Sequence, residues 1–472
     1  MAYLVVIVVY SLAQIALGVW AARRVKGSGD FFVAGRSLGP GLLAATLLAA
    51  NIGGGSTVGA AGRGFRDGFA AWWWIGSAAI GSAILAIWVG PRIWRLATKH
   101  QFKTVGDFLE WRYDRRVRAA IAVLLWAGTV AILGGQLLAM AAVLGTIVGL
   151  SKTASCLVGA TVATAYFAAG GLKSSVAVNV LQLSVKLGGF AIALPLALAS
   201  VGGLSGFHHA FPAGPYWSSW SHAGSGWFYI AMVTPGFIVS PGILQKVYAA
   251  RDERAVRIGV GVNALVLLLF AAIPPVLGMI AHALHPDLLN TDNALPVLFR
   301  DNLPFWVGAI GLAAIFSAEV SAADALLFML ATSLSQDLYK QFVNPDANDA
   351  QMLWCARIGA VVGAAAAVVI AIFIAADTIA SLSIFYTVLG VSLFVPVVAG
   401  LFSGRADGTA ALAAIAGGVA VAAGLELGLG SGGFIHGLTP PMWGIAAAAA
   451  AYMMAAGFVP RRGDVSSSGN RG

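Results

Sequence analysis

The stretch Ala44-Ala45-Thr46-Leu47-Leu48-Ala49-Ala50-Asn51-Ile52-Gly53-Gly54-Gly55-Ser56-Thr57-Val58-Gly59-Ala60-Ala61-Gly62 decides how this chain is read. It is apolar enough to enter a bilayer, yet its middle is a poor helix. Each of three consecutive glycines costs about 1 kcal/mol against alanine in a helix interior. A membrane helix tolerates such a break only where the freed backbone faces protein or a water-filled cavity. A Gly-lined close contact between helices would instead use spaced small residues, not a run ending in two hydroxyls. The stretch therefore predicts a discontinuous helix at a binding site near the middle of a membrane.

The rest of the composition agrees. Of 472 residues, 59% are hydrophobic and only 10% charged, with a mean hydropathy of +0.86. Soluble domains carry about 25% charged residues, so the chain reads as an all-α polytopic membrane protein with the lipid bilayer as its solvent. The net charge of +9 points to basic loops on the cytoplasmic side of a membrane, not to nucleic acid. Cys156 and Cys355 supply no disulfide framework and no metal cluster. The first 22 residues lack a basic leader and a cleavage site, and read as a helix that stays.

Apolar runs long enough to span fall at 2–22, 41–62, 71–96, 118–149, 154–170, 174–201, 226–249, 256–283, 304–335, 355–377, 379–403, 408–428 and 436–459, which predicts about thirteen transmembrane helices. Loops rich in Lys and Arg (23–36, 92–118, 246–257 and 461–471) alternate with loops poor in them. Basic loops stay in the cytoplasm, so the N-terminus is expected outside and the C-terminus inside, in the inner membrane of a cell. Within loop 92–118, Phe108, Leu109 and Trp111 fit either an amphipathic surface helix or a plain basic loop. The tail 460–472 is Ser/Gly-rich and reads as disordered. A second interruption is expected in 226–249, where Pro235-Gly236 and Pro241-Gly242 both fall inside one span. Breaks at corresponding positions of two halves are the pointer to an inverted-repeat transporter.

Five motifs in order resemble the sodium:solute symporter family. They are Gly29-Asp30-Phe31-Phe32-Val33-Ala34-Gly35-Arg36, Ala49-Ala50-Asn51-Ile52, Gly170-Gly171-Leu172-Lys173 with Gln182, Pro241-Gly242-Ile243-Leu244-Gln245-Lys246 with Ala249-Ala250-Arg251-Asp252, and Gln336-Asp337-Leu338-Tyr339-Lys340. The resemblance implies a LeuT-like five-plus-five inverted repeat with discontinuous first and sixth core helices. It would comprise an extra helix at 2–22, repeats at 41–201 and 226–403, and two extra helices within 408–459. It also implies alternating access and uptake of a solute coupled to sodium.

Carried over residue by residue, the family's sodium site places carbonyls at Ala49, Ile52 and Ala318 and a hydroxyl pair at 321 and 322. Ser321 is present, but position 322 is alanine, and Asn179 stands where the family usually has a carboxylate. A hard cation wants several oxygens, carboxylates among them, so the site is degraded. The same helices hold Lys186 and Glu319. Lys186 follows Asn179 by seven residues, hence on nearly the same helix face about 10 Å further on. A charge within a membrane helix costs about 2.5–3.5 kcal/mol on insertion scales and usually pairs or functions. One reading puts the Lys186 ammonium where sodium would sit, paired with Glu319, so that transport is proton-coupled or facilitative. A buried lysine can release its proton near neutral pH. The others are a static ion pair, or residual sodium coupling through a weakened site. The coupling ion is thus Na+, H+ or neither, and no other cofactor is implied.

Substrate contacts are expected from Gly53, Gly54, Gly55, Ser56 and Thr57, from Trp73 among the tryptophans 72–74, from Thr234, Phe237 and Ser240, and from Tyr386 beside Phe385. Aromatic walls with a few polar groups describe a pocket for a small organic solute. Amides freed near the glycines favour an amino acid or organic acid over a sugar. No metal cluster or nucleophile–base pair is evident, so an enzyme is not expected. A nutrient sensor built on a transporter fold is the alternative, although no signalling domain follows the helices.

Overall fold

A computed structural model describes residues 2–22, 34–168, 171–211, 214–220, 227–374, 377–404, 407–429 and 435–457. The motif residues 29–33, the basic residues 23–26, Gly170, and the tail 460–472 lie outside the described residues. The regular structure of the described residues is helical, apart from two isolated bridge pairs.

In order, the helices are α1 (Ala2–Ala22), α2 (Pro40–Asn51), α3 (Val58–Asp67), α4 (Trp72–Ile84), α5 (Gly90–His100), α6 (Val105–Arg112), α7 (Arg115–Val148), α8 (Lys152–Ala168), α9 (Gly171–Ser200) and α10 (Gly203–Ala210). They continue as α11 (Trp227–Val239), α12 (Pro241–Tyr248), α13 (Glu253–Phe270), α14 (Ile273–Leu284), α15 (Ala294–Asp301) and α16 (Phe305–Thr332). The series ends with α17 (Asp349–Phe373), α18 (Thr378–Leu389), α19 (Val395–Phe402), α20 (Gly408–Leu429) and α21 (Pro440–Gly457). Among the described residues, nine helical segments are long and apolar enough to cross a membrane. The π-helical turns Leu85–Val89, Ser333–Val343 and Gly390–Phe394 carry α4 into α5, extend α16, and join α18 to α19.

Packing pairs the two halves reciprocally. Helix α2 lies against α13, and α11 lies against α4; α9 lies against α16, and α18 lies against α7. Small residues permit close approach where α3 crosses α14. A Cβ on Gly278 would overlap the Ala61 carbonyl, and one on Gly64 would overlap the Pro275 carbonyl. Without a hydrophobic drive between helices in lipid, such backbone proximity is what holds them.

Two expectations shift. The second interruption falls at Ser240, between α11 and α12, while Pro235 is accommodated inside α11. Loop 92–118 is not a surface helix: α6 starts with a Thr104/Asp107 capping box and buries Val105, Phe108 and Leu109, leaving Trp111 exposed.

The basic end of the bundle is closed by hydrogen bonds. Ala34, Gly35 and Arg36 all have positive φ (47°, 60° and 54°), and this left-handed turn delivers Arg36 to two carbonyls. Its guanidinium donates to Tyr248 O at 3.0 Å and Phe102 O at 2.7 Å. Leu38 N donates to Ala249 O and Arg251 N to Leu38 O, both at 3.0 Å. Nearby, Arg118 is buried among three carboxylates: Asp337 at 2.7 Å, Glu110 at 2.7 Å and Asp107 at 2.9 Å.

Candidate functional site

Helix α2 stops at Asn51 because the next residues leave helical geometry. Ile52 has φ −91° and ψ 84°, and Gly53 is extended at φ −127° and ψ −159°. Glycine is required here by crowding. A Cβ on Gly54 would stand 2.5 Å from Glu319 Oε2 and 2.9 Å from Gln136 Oε1, and one on Gly53 would overlap the Ala322 methyl. After the single turn Gly54–Ser56, Thr57 leads into α3.

The break frees backbone groups, and each of those that follow finds a partner. Gly54 N donates to Gln136 Oε1 at 2.6 Å. Ser56 Oγ donates to Asn51 O at 2.7 Å, and Thr57 Oγ1 lies 3.0 Å from Gly53 O. The carbonyls of Ala49 and Ile52, at the negative end of the α2 dipole, are taken by Lys186. Its Nζ donates to Ala49 O at 2.7 Å, to Ile52 O at 3.0 Å and to Ser321 Oγ at 2.5 Å. Ser321 Oγ is itself within 2.7 Å of Ala49 O and 3.0 Å of Ala318 O. Lys186 is wholly buried, and its three donors meet three oxygens, the full complement of an ammonium. Ala322 offers only a methyl to this cluster. Asn179 Nδ2 donates to Thr46 Oγ1 at 2.8 Å, which ties α9 to α2 one turn below.

Among the described residues no hydrogen bond or close ion pair joins Glu319 to Lys186, although the two interact electrostatically. Glu319 Oε1 accepts from Thr57 Oγ1 at 2.9 Å, and its Oε2 has no hydrogen-bond partner among the described residues. The accessory helix α1 also reaches this region. Gln182 Nε2 donates to Gln14 Oε1 at 2.5 Å, and Tyr10 OH and Ser317 Oγ are 2.8 Å apart.

Beside the break lies a cavity of about 70 Å³. By this measure a water needs roughly 10–15 Å³, so the space suits a small solute. Gly53, Gly55, Ser56, Phe237, Ser240 and Tyr386 line it. Gly54 and Thr57 stand behind its wall, and Thr234 is occupied with Ser77 O at 2.8 Å. Trp73 turns away, packing against Trp72 and Trp220 at centroid distances of 4.6 and 4.8 Å. Trp74, one residue on, lines the cavity, edge-on to Tyr386 at 5.7 Å. Phe237 stacks on Tyr386 at 5.6 Å.

Two lining residues went unnoticed in the sequence. Gln136 is a lone amide in the apolar α7, and that isolation was its signal. Lys246 looked like a loop charge after an apolar run, but it lies on α12 and is 6% exposed.

The chain's likeness to known proteins accords with this geometry. The model of the sodium:solute symporter family matches residues 31–418. A sodium/glucose cotransporter of Vibrio parahaemolyticus is 28% identical over 421 residues, covering 78% of this chain and 74% of the relative. The high-affinity choline transporter 1 of Drosophila melanogaster is 25% identical, covering 78% and 62%. A solved structure of a Na+-coupled sialic acid symporter in a substrate-bound outward-open state superposes with a TM-score of 0.82 at 18% identity, over 98% of this chain and 99% of that one. Mhp1, a nucleobase-cation-symport-1 family transporter, superposes at 0.58 and 14% identity. At these identities the structures speak for the fold alone. The relatives are transporters, not enzymes. The chain belongs to the sodium:solute symporter family.

Proposed function

We propose that this chain carries a small organic solute by alternating access without sodium, with the Lys186 ammonium standing in for the ion and serving as the proton carrier. The observation that carries the reading is the contact set of Lys186 Nζ: Ala49 O, Ile52 O and Ser321 Oγ. These are three of the oxygens that the family resemblance assigns to a sodium ion. The residues present do not fit that ion. Lys186 fills its position, Ala322 lacks the second hydroxyl, and Asn179 lacks the charge.

The reciprocal packing of α2 with α13 and α11 with α4, and of α9 with α16 and α18 with α7, supports a five-plus-five inverted repeat. The thirteen apolar runs, taken as crossings of a cell's inner membrane, and the clustering of basic residues at one end support an N-terminus outside and a C-terminus in the cytoplasm. In this frame, losing the Lys186 proton removes an N–H···O contact between α9 and the end of α2, and so couples protonation to the hinge between α2 and α3.

The test is uptake in proteoliposomes of a solute that the purified chain binds, with a sodium gradient or a proton gradient applied alone. Wild type should respond to the proton gradient only, and Lys186→Ala should respond to neither. Uptake driven by sodium alone and unaltered in Lys186→Ala would refute the reading.

A further inference from the structure

We propose that the cavity takes an organic carboxylate with an apolar or aromatic body, and that the Lys246 ammonium is the group that binds the carboxylate. This rests on the reading of the cavity as the transport site.

Gly242, Ile243 and Lys246 all line the cavity. Their spacing puts them on one face of α12, so the lysine side chain belongs to the cavity wall and not to a loop. The Lys246 ammonium makes no hydrogen bond or close ion pair with another described residue, although the residue is only 6% exposed. Asp324, which is not among the lining residues, interacts with it electrostatically. No Asp, Glu, Arg or His is among the described lining residues, so among them the cavity wall holds a single full charge, and it is positive. A buried ammonium with no hydrogen-bond acceptor among the described residues is costly, and a bound carboxylate supplies the acceptor.

The aromatic part of the lining points to the rest of the ligand. Trp74, Phe237, Phe385 and Tyr386 present rings, which offer area to an apolar or unsaturated body and little to a polyol. Asn51, Ser56, Gln136 and Ser240 add neutral polar contacts without adding a countercharge. A cationic solute would meet Lys246 with no carboxylate in the lining to offset it. Lys186 does not compete for the ligand, because its donors are already spent on Ala49, Ile52 and Ser321.

The experiment measures thermal stabilisation of the purified full chain by benzoate, phenylacetate, pyruvate and lactate, each beside its primary amide, with benzylamine as the cationic control. At least one carboxylate should stabilise wild type at millimolar concentration, while its amide and the amine should not. Lys246→Met should weaken that carboxylate at least about tenfold, as expected when one partner of a buried charge pair is removed, and Lys246→Arg should retain it. The carboxylate–amide comparison is made on wild type and so survives a misfolded variant. A purely structural lysine would not discriminate between the two ligands. Equal stabilisation by amide or amine, no response to any carboxylate, or unchanged affinity in a folded Lys246→Met would overturn the inference. A carboxylate that binds but is not taken up into proteoliposomes would refute the transport reading and leave the ligand class standing. Uptake of a neutral sugar would do the reverse.

Discussion

If the Lys186 ammonium stands in for sodium as proposed, removing it and restoring a hydroxyl at position 322 should create a sodium-binding site. In Lys186→Ala the ammonium is gone, but Ser321 Oγ still reaches Ala49 O at 2.7 Å. The Ile52 carbonyl, 3.0 Å from Nζ in wild type, is then the orphan. One buried acceptor without a donor costs about 1–3 kcal/mol, so the single variant should unfold at a moderately lower temperature. The vacated volume is faced by the oxygens of Ala49, Ile52, Ala318 and Ser321. Lys186→Ala with Ala322→Ser would add a fifth. With sodium at ten times its dissociation constant, linkage stabilises the folded state by about 1.4 kcal/mol, which recovers much of the loss. The assay is thermal unfolding of purified protein in sodium chloride against an equal concentration of choline chloride. Wild type should show no difference, and the double variant should be stabilised by sodium. Sodium stabilising wild type as much as the double variant would refute the reasoning, since an occupied ammonium site leaves no room for the ion.

Two further outcomes follow from groups near the ends of the bundle. Arg118 is 2% exposed and bonds Asp337, Glu110 and Asp107, so Arg118→Leu strands the buried Asp337 carboxylate; a loss of about 3–5 kcal/mol is expected, read as a fall in unfolding temperature that Asp337→Asn in the same chain partly reverses. Burial raises the Asp292 carboxyl above the ordinary carboxylate range, with Asp377 adding to the rise, and the Thr378 donors and Arg63 opposing it. Its folded form therefore binds a proton more tightly than its unfolded form, so stability rises as pH falls through the folded value toward the ordinary one; unfolding temperatures measured across this window should lose that rise in Asp292→Asn.

What was legible in the sequence was local. Three glycines in an apolar run announce a break wherever the chain later packs, and Lys186 announces itself because a charge in a membrane helix is too costly to be idle. Its placement against Ala49, Ile52 and Ser321 could be anticipated because the resemblance supplied the facing helix. The partner of Glu319 could not, since Thr57 comes to it across the break and helix register alone does not fix that distance. Trp73 and Trp74 differ by one residue, which is 100° of helix rotation, and nothing in three consecutive tryptophans says which one faces inward. Pro235 and Pro241 look alike in sequence. Only the second stands where the preceding residue, Ser240, has left helical geometry, at ψ 122°.

Lys186 and Lys246 put the deeper difficulty plainly. Both are lysines in apolar surroundings near an interrupted helix, and both are buried. The interruption after Asn51 ends a helix toward Lys186, so its carbonyl end meets the ammonium and satisfies it within the protein. The interruption at Ser240 begins a helix, and Lys246 lies on that helix's own cavity-facing side, where its ammonium has no hydrogen bond among the described residues. The polarity of the two breaks thus separates the ammonium proposed to replace an ion from the one proposed to meet a ligand. Sequence composition is blind to this polarity, because it depends on which side of each break the lysine approaches. The same physics ties the two proposals together: an ammonium held covalently at the cation position would replace sodium, and a cavity whose described lining carries one full charge, a positive one, favours an anion.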